Sequence, residues 1–125
     1  MNEDLYQALK TRVQGEVRFD RASRLMYSTD ASIYEIEPIG VVIPSNHEDV
    51  FATMEVARDF QVPILPRGAG TSLAGQTVCD AVVIDMSKHL NRVLEVNTEE
   101  RWAIVEPGVV QEQFFNFARS KVHSC

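Results

Sequence analysis

The chain has 125 residues, 45% of them apolar and 24% charged, with a formal net charge of −6. This length allows at most one domain with a modest core, and the composition is that of an ordered globular chain. The acidic balance argues against nucleic acid or an anionic membrane as the main partner, and no apolar run approaches the roughly 20 residues of a membrane span. The polar, acidic start does not fit a signal peptide. Cys79 and Cys125 are too few for a disulfide framework and lack metal-ligand spacing with any histidine, so a reducing cytoplasm is expected.

Asn2 to Val13 predicts a helix: Asn2 can cap it, Glu3 and Asp4 suit its positive end, and Leu5, Ala8, Leu9 and Val13 form an apolar stripe. Gly15 ends it, and Glu16 to Phe19 predicts a short strand. Arg21 to Tyr34 reads as mixed, with several short turns. Asp30 and Tyr34 within it are expected as a buried cap and a core aromatic rather than as catalytic groups. Residues 1–36 thus form a helix and irregular lead-in to the remainder, 37–125.

A β-α-β unit follows. Val41-Val42-Ile43 predicts a buried strand, and Ser45-Asn46-His47-Glu48 has the S-x-x-E spacing of a capping box. Val50, Phe51, Met54, Ala57 and Phe60 recur at helical intervals, predicting the face that covers the sheet. His47 is then a first-turn helix residue and not a metal ligand. Gln61 to Pro66 returns as the second strand, and Ala81 to Asp85 predicts a third. Asn91 to Val96 and Arg101 to Val105 predict a hairpin around Asn97-Thr98-Glu99-Glu100, with Val93, Val96, Ala103 and Val105 available for packing. Trp102 is expected to pack on the hairpin rather than to serve as a base-stacking platform. Pro107-Gly108 turns the chain into a helix over Val110 to Ala118, whose Phe114, Phe115 and Phe117 are expected in the core. His89 and His123 are expected at the surface.

The second strand delivers Pro66-Arg67-Gly68-Ala69-Gly70-Thr71-Ser72-Leu73-Ala74-Gly75, a loop with almost no side-chain bulk. Gly68, Gly70 and Gly75 free the backbone to curl, and converging N–H groups bind phosphate through oriented dipoles. Thr71 and Ser72 add hydroxyl donors, and Arg67 adds a fixed charge at the mouth. This predicts a pyrophosphate cradle. The G-x-G-x-x-G fingerprint fails because Leu73 stands where its third glycine belongs. The ATP/GTP loop fails at Gln76, which occupies the lysine position, and a strand rather than a helix follows.

The Pro66–Gly75 run resembles the phosphate-binding loop of the FAD-linked oxidases, whose FAD domain is of the vanillyl-alcohol-oxidase or PCMH type. The similarity extends to Tyr27-Ser28-Thr29-Asp30-Ala31-Ser32, Pro44 to Val50, Ser87 to Leu94 and Glu106-Pro107-Gly108-Val109. Together these resemble the 2-hydroxyacid dehydrogenase branch, with D-lactate dehydrogenases, the glycolate oxidase flavin subunit and D-2-hydroxyglutarate dehydrogenases. The resemblance covers about Phe19 to Ala118. It implies an α+β fold, a partial PCMH-type FAD-binding domain: an N-terminal β-α-β subdomain followed by the start of a second mixed sheet. The domain, 37–125, reads as truncated at its C-terminal side relative to a much longer enzyme.

The same resemblance implies FAD as cofactor, with contacts from Pro66, Arg67, Gly68, Ala69, Gly70, Thr71, Ser72 and Gly75. Met86 and Ser87 after the third strand, and Pro107 and Gly108, are implied to lie beside it. Relatives with covalent FAD place a histidine directly after R-x-G-G, where Thr71 stands here, so a non-covalent FAD is expected. In the intact enzyme the implied chemistry is oxidation of a small D-2-hydroxy acid by hydride transfer to the flavin. The catalytic base, the substrate-binding residues and any iron–sulfur group belong to a region beyond this chain. No catalytic residue is assigned within it, and the electron acceptor is not identified. Two other classes stay open: a folded fragment that binds no flavin alone, and a phosphate- or nucleotide-binding module without redox chemistry.

Overall fold

The computed structural model describes residues 2–28, 37–68 and 81–110, together with Phe114 and Asn116. Helix α1 (Asn2–Arg12) buries Leu5 and Leu9 with Val13 just beyond its end, the stripe its periodicity predicts. Strand β1 (Glu16–Arg18) follows, then a six-residue helix α2 (Arg21–Met26) where only mixed turns are expected. Asp20 explains the difference: its side chain accepts the Ser23 N–H and caps the helix. Asp30 and Tyr34 lie outside the described residues.

Strand β2 (Gly40–Ile43), helix α3 (His47–Asp59) and strand β3 (Ile64–Arg67) form the expected β-α-β unit, but β2 and β3 are not neighbours. Strand β4 (Val82–Asp85) runs between them, parallel to both, and β1 pairs antiparallel with β2, giving the order β1-β2-β4-β3. β2 and β4 are buried along their whole length because both faces are covered, which is why they read as continuous apolar runs. Among the described strands β3 lies at one edge of the sheet, which is where Pro66 can sit without costing a ladder bond.

Leu5, Leu9, Val13 and Val56 pack on Val17, Val42 and Val82, so α1 and α3 cover one face of the sheet. Val41, Ile43 and Val83 point the other way, and Tyr27 packs against them. Alternation along the strands sets this division.

Helix α3 differs from expectation in its cap and its phase. Asn46, not Ser45, is the N-cap and accepts the Asp49 N–H at 2.8 Å, while Glu48 is exposed. Ser45 instead donates both its N–H and its hydroxyl to the Asp49 carboxylate, each at 2.9 Å. Phe51 and Met54 are 64% and 47% exposed, and the buried positions are Asp49, Ala52, Thr53, Val56 and Ala57. Two polar residues can be buried because both are bonded: Thr53 donates to the Asp49 carbonyl at 2.7 Å, and the Asp49 carboxylate accepts from Gln14, Gly15 and Ser45.

Strands β5 (Val93–Asn97) and β6 (Trp102–Val105) form the predicted antiparallel hairpin, with a register irregularity between Val93 and Glu95. Its apolar side chains are only partly covered. Val93, Val96 and Ala103 are half-buried, Val105 is exposed, and Trp102 is exposed with its indole N–H donated to Glu100 at 3.0 Å. Phe114 is helical and half-buried, its N–H donated to the Val110 carbonyl at 3.0 Å, while Phe115, Phe117 and His123 lie outside the described residues. His89 is exposed. Among the described residues no helix is long and apolar enough to cross a membrane.

Candidate functional site

The three parallel strands end together, and the carboxyl edge they make is where ligands bind in open α/β sheets. Arg67 closes β3 opposite Asp85, which closes β4. The ladder then continues one step, with the Met86 N–H donated to the Arg67 carbonyl at 2.9 Å. Beyond this step β3 enters the glycine loop and β4 enters a tight turn, closed by the Leu90 N–H on the Met86 carbonyl at 3.0 Å.

The Pro107-Gly108 turn packs on that closed turn. Gly108 donates its N–H to the Leu90 carbonyl at 2.7 Å, and a Cβ at Gly108 would lie 2.2 Å from the Met86 carbonyl oxygen. Only glycine allows two backbones to approach so closely. On its other side, a Cβ at Gly68 would lie 3.4 Å from the Pro107 carbonyl oxygen. The structure therefore brings Arg67 and Gly68, Met86 and Ser87, and Pro107 and Gly108 to one edge of the fold. Pro66 lies one residue back in β3 and is exposed. Ala69, Gly70, Thr71, Ser72 and Gly75 lie outside the described residues.

The polar groups at this edge are linked. Asp85 is 7% exposed and accepts the Ser87 N–H at 2.8 Å and the Ser87 hydroxyl at 2.6 Å on Oδ1. Its Oδ2 accepts the Tyr27 hydroxyl. The Arg67 guanidinium lies 5.2 Å from the centre of the Tyr27 ring and donates to the Tyr27 carbonyl at 3.3 Å. Burial, then the hydrogen bond to Asp85, push the Tyr27 phenol above its ordinary range, so it remains the donor. Asp85 and Tyr27 were not among the sequence candidates. The polar residue ending an otherwise apolar strand is the only local signal Asp85 offers, and Tyr27 offers only its place at the head of the resembling segment Tyr27 to Ser32.

A second linkage ties the hairpin to α3. The Glu106 side chain is fully buried, and its Oε1 accepts the Arg92 N–H and the Arg92 Nε, each at 3.0 Å. Its Oε2 lies 2.9 Å from His47 Nε2. The Arg92 hydrogen bond, chiefly, outweighs burial and holds the Glu106 carboxyl down at about 2. His47 is thus in the first turn of α3 as expected, with a partner 59 residues away that the sequence does not announce.

The FAD binding domain family matches residues 38–123. The chain is 43% identical over 103 residues to a D-2-hydroxyglutarate dehydrogenase of Pseudomonas putida, an alignment covering 80% of this chain and 10% of that protein. It is 35% identical over 114 residues to the glycolate oxidase subunit GlcD of Bacillus subtilis, covering 88% of this chain and 24% of that one. The chain therefore spans less than a quarter of the length of either relative. Its fold superposes on p-cresol methylhydroxylase with a TM-score of 0.74 at 18% identity, over 95% of this chain and 24% of that structure. The PCMH-type fold expected from the sequence is the fold observed.

Proposed function

The chain belongs to the FAD binding domain family, and we propose that it forms the cofactor-holding portion of a flavin-dependent oxidoreductase acting on a small 2-hydroxy acid. The observation that carries this reading is the convergence of Arg67-Gly68, Met86-Ser87 and Pro107-Gly108 on the carboxyl edge of the sheet. An edge of this kind suits a dinucleotide: it offers backbone at close range, the Arg67 guanidinium and the uncharged Ser87 hydroxyl.

In this reading Arg67 and the loop that Gly68 opens hold the pyrophosphate, with Ala69, Gly70, Thr71, Ser72 and Gly75 completing the cradle. Met86, Ser87, Pro107 and Gly108 line the neighbouring stretch of the cofactor. FAD, when bound, supplies the two-electron acceptor that oxidation of a hydroxy acid requires. This chain's residues bind and orient it. The domain proper runs over 37–125, and 1–36 adds α1 and β1 to its core. The FAD is non-covalent, because Thr71 has no imidazole to form the flavin bond. The named activities of the D-2-hydroxyglutarate dehydrogenase and glycolate oxidase relatives favour a 2-hydroxy acid substrate for the whole protein.

Titration of the purified chain with FAD tests this reading, following flavin fluorescence and melting temperature together. Saturable quenching with a rise in melting temperature is expected, since a ligand that binds only the folded state stabilises it. ATP with magnesium should give no response. Flavin that stays with the polypeptide after full denaturation would contradict the non-covalent assignment, and no response to FAD would contradict the assignment of the cofactor to this chain.

A further inference from the structure

We propose that Tyr27 is a positioning residue for the cofactor edge, holding Arg67 of β3 and Ser87 of the β4 turn in register for FAD. The proposal rests on the FAD-binding reading above. Tyr27 lies eleven positions before the first residue that the FAD binding domain family matches, so the lead-in segment reaches into a site otherwise built from 66 onward.

Tyr27 follows directly on α2 and packs its ring on Val41, Ile43 and Val83, the sheet face opposite α1 and α3. Asp85 and Arg67 continue that face toward the carboxyl edge, since side chains two apart on a strand share a face. Tyr27 touches both. Its ring and carbonyl hold the Arg67 guanidinium, at 5.2 Å and 3.3 Å. Its hydroxyl donates to one oxygen of Asp85, whose other oxygen accepts the Ser87 N–H and hydroxyl. One aromatic residue thus restrains a long flexible cation and, through a buried carboxylate, the turn beside it.

This restraint matters for a ligand. A free arginine must lose rotamer freedom when it binds an anion, and one already stacked on an aromatic ring has lost much of it beforehand. The Asp85 carboxylate, engaged by Tyr27 and Ser87, is kept from turning toward Arg67 and competing for it. The same bonds fix the Ser87 main chain and side chain on Asp85 at the start of the turn.

The test compares the native chain with Tyr27→Phe, which keeps the ring and loses the hydroxyl, and Tyr27→Leu, which loses both. Tyr6→Leu, which removes an edge-to-face contact with Phe19 in the α1 core, serves as a control for general loosening. FAD affinity and amide exchange at Ser87 in the flavin-free chain are measured for each. Tyr27→Phe is expected to weaken FAD about threefold and to speed Ser87 exchange about tenfold, because Asp85 is then free to rotate. Tyr27→Leu is expected to weaken FAD about tenfold and to steepen the loss of affinity with salt, as Arg67 becomes solvated. Tyr6→Leu lowers the melting temperature and leaves Ser87 exchange, relative to its β4 neighbours, unchanged. FAD affinity within twofold of native in both Tyr27 variants overturns the proposal, as does unchanged Ser87 exchange in Tyr27→Phe. A native chain that takes up no FAD overturns the cofactor reading itself, and shows this before any substitution is made.

Discussion

Glu106 grips Arg92 by both main chain and side chain, its Oε1 accepting the Arg92 N–H and the Arg92 Nε at 3.0 Å each. This closes the open end of the hairpin and, through His47, fastens it to the first turn of α3. The Glu106 carboxyl is held at about 2 against an ordinary 4.5. A carboxyl lowered on folding contributes stability that is complete above its unfolded value and is lost as pH falls through the folded one. Acid unfolding should therefore steepen between about pH 4.5 and pH 2, with Glu16, held at about 2 by Lys88 and Arg18, adding to the same limb. Glu106→Gln should cost about 2 kcal/mol at neutral pH and flatten that limb, read from urea unfolding across the pH range.

Asp49 serves as a hub for three chain segments, accepting the Gln14, Gly15 and Ser45 N–H groups at 2.9 Å each. Burial alone would raise its carboxyl, but these bonds outweigh burial and keep it below the ordinary range. Asp49→Ala leaves three part-buried backbone N–H groups without their acceptor and should cost about 3 kcal/mol in urea unfolding. Asn46→Ala, which loses the cap bond and an exposed 3.3 Å bond from its amide to the Gln14 side chain, should cost about 1 kcal/mol. Equal losses for the two would contradict this ranking.

Gly108 leaves no room for a side chain. Gly108→Ala would drive a methyl against the Met86 and Leu90 carbonyl oxygens, where its Cβ would stand 2.2 Å and 2.7 Å away. The turn must open to admit it, so a loss of about 3 kcal/mol is expected, together with weaker FAD binding. Thermal unfolding of the flavin-free chain separates the first effect from the second.

Gln61 ends α3 in the left-handed region, with φ of 54°. Its N–H donates to the Arg58 carbonyl at 3.1 Å and the Val62 N–H to the Ala57 carbonyl at 2.9 Å, the paired bonds of a Schellman motif. Glycine is the usual residue at that position because a Cβ is strained there. Gln61→Gly should raise stability by about 0.5 kcal/mol, seen as a higher urea midpoint with an unchanged slope.

The elements of this fold were legible where burial and hydrophobicity coincide. Val41 to Ile43 and Val82 to Ile84 are apolar and buried, and α1 shows its stripe directly. Helix α3 was misphased because Phe51 and Met54 are apolar yet exposed, while Asp49 and Thr53 are polar yet buried. Periodicity cannot detect a carboxylate whose solvation is replaced by backbone donors from residues 14, 15 and 45. The hairpin was placed by its turn, but turn chemistry says nothing about which face is covered. At the candidate site, Arg67, Gly68, Ser87 and Gly108 were visible from motif resemblance, and their convergence follows from the order of the parallel strands. Asp85 was not, and Tyr27, Arg92 and Glu106, though each stands within a resembling segment, carry no site role there, because each acts through a contact distant in sequence or through side-chain aim, neither of which leaves a local pattern.

The position of β4 has a consequence for how this chain comes into being. The sheet's central gap, between β2 and β3, is filled by the last of the four strands to be made. As synthesis proceeds from the N-terminus, Gly40–Ile43 and Ile64–Arg67 emerge with nothing to join them. The β1-β2 pair can form earlier, but completion of the sheet must wait for Val82–Asp85, and the non-local pairing it brings is the slow kind. The segment that completes the sheet is also the one that ends in Asp85, so the step that closes the sheet also sets Asp85 beside Arg67, and the Pro107-Gly108 turn is added to that edge afterwards.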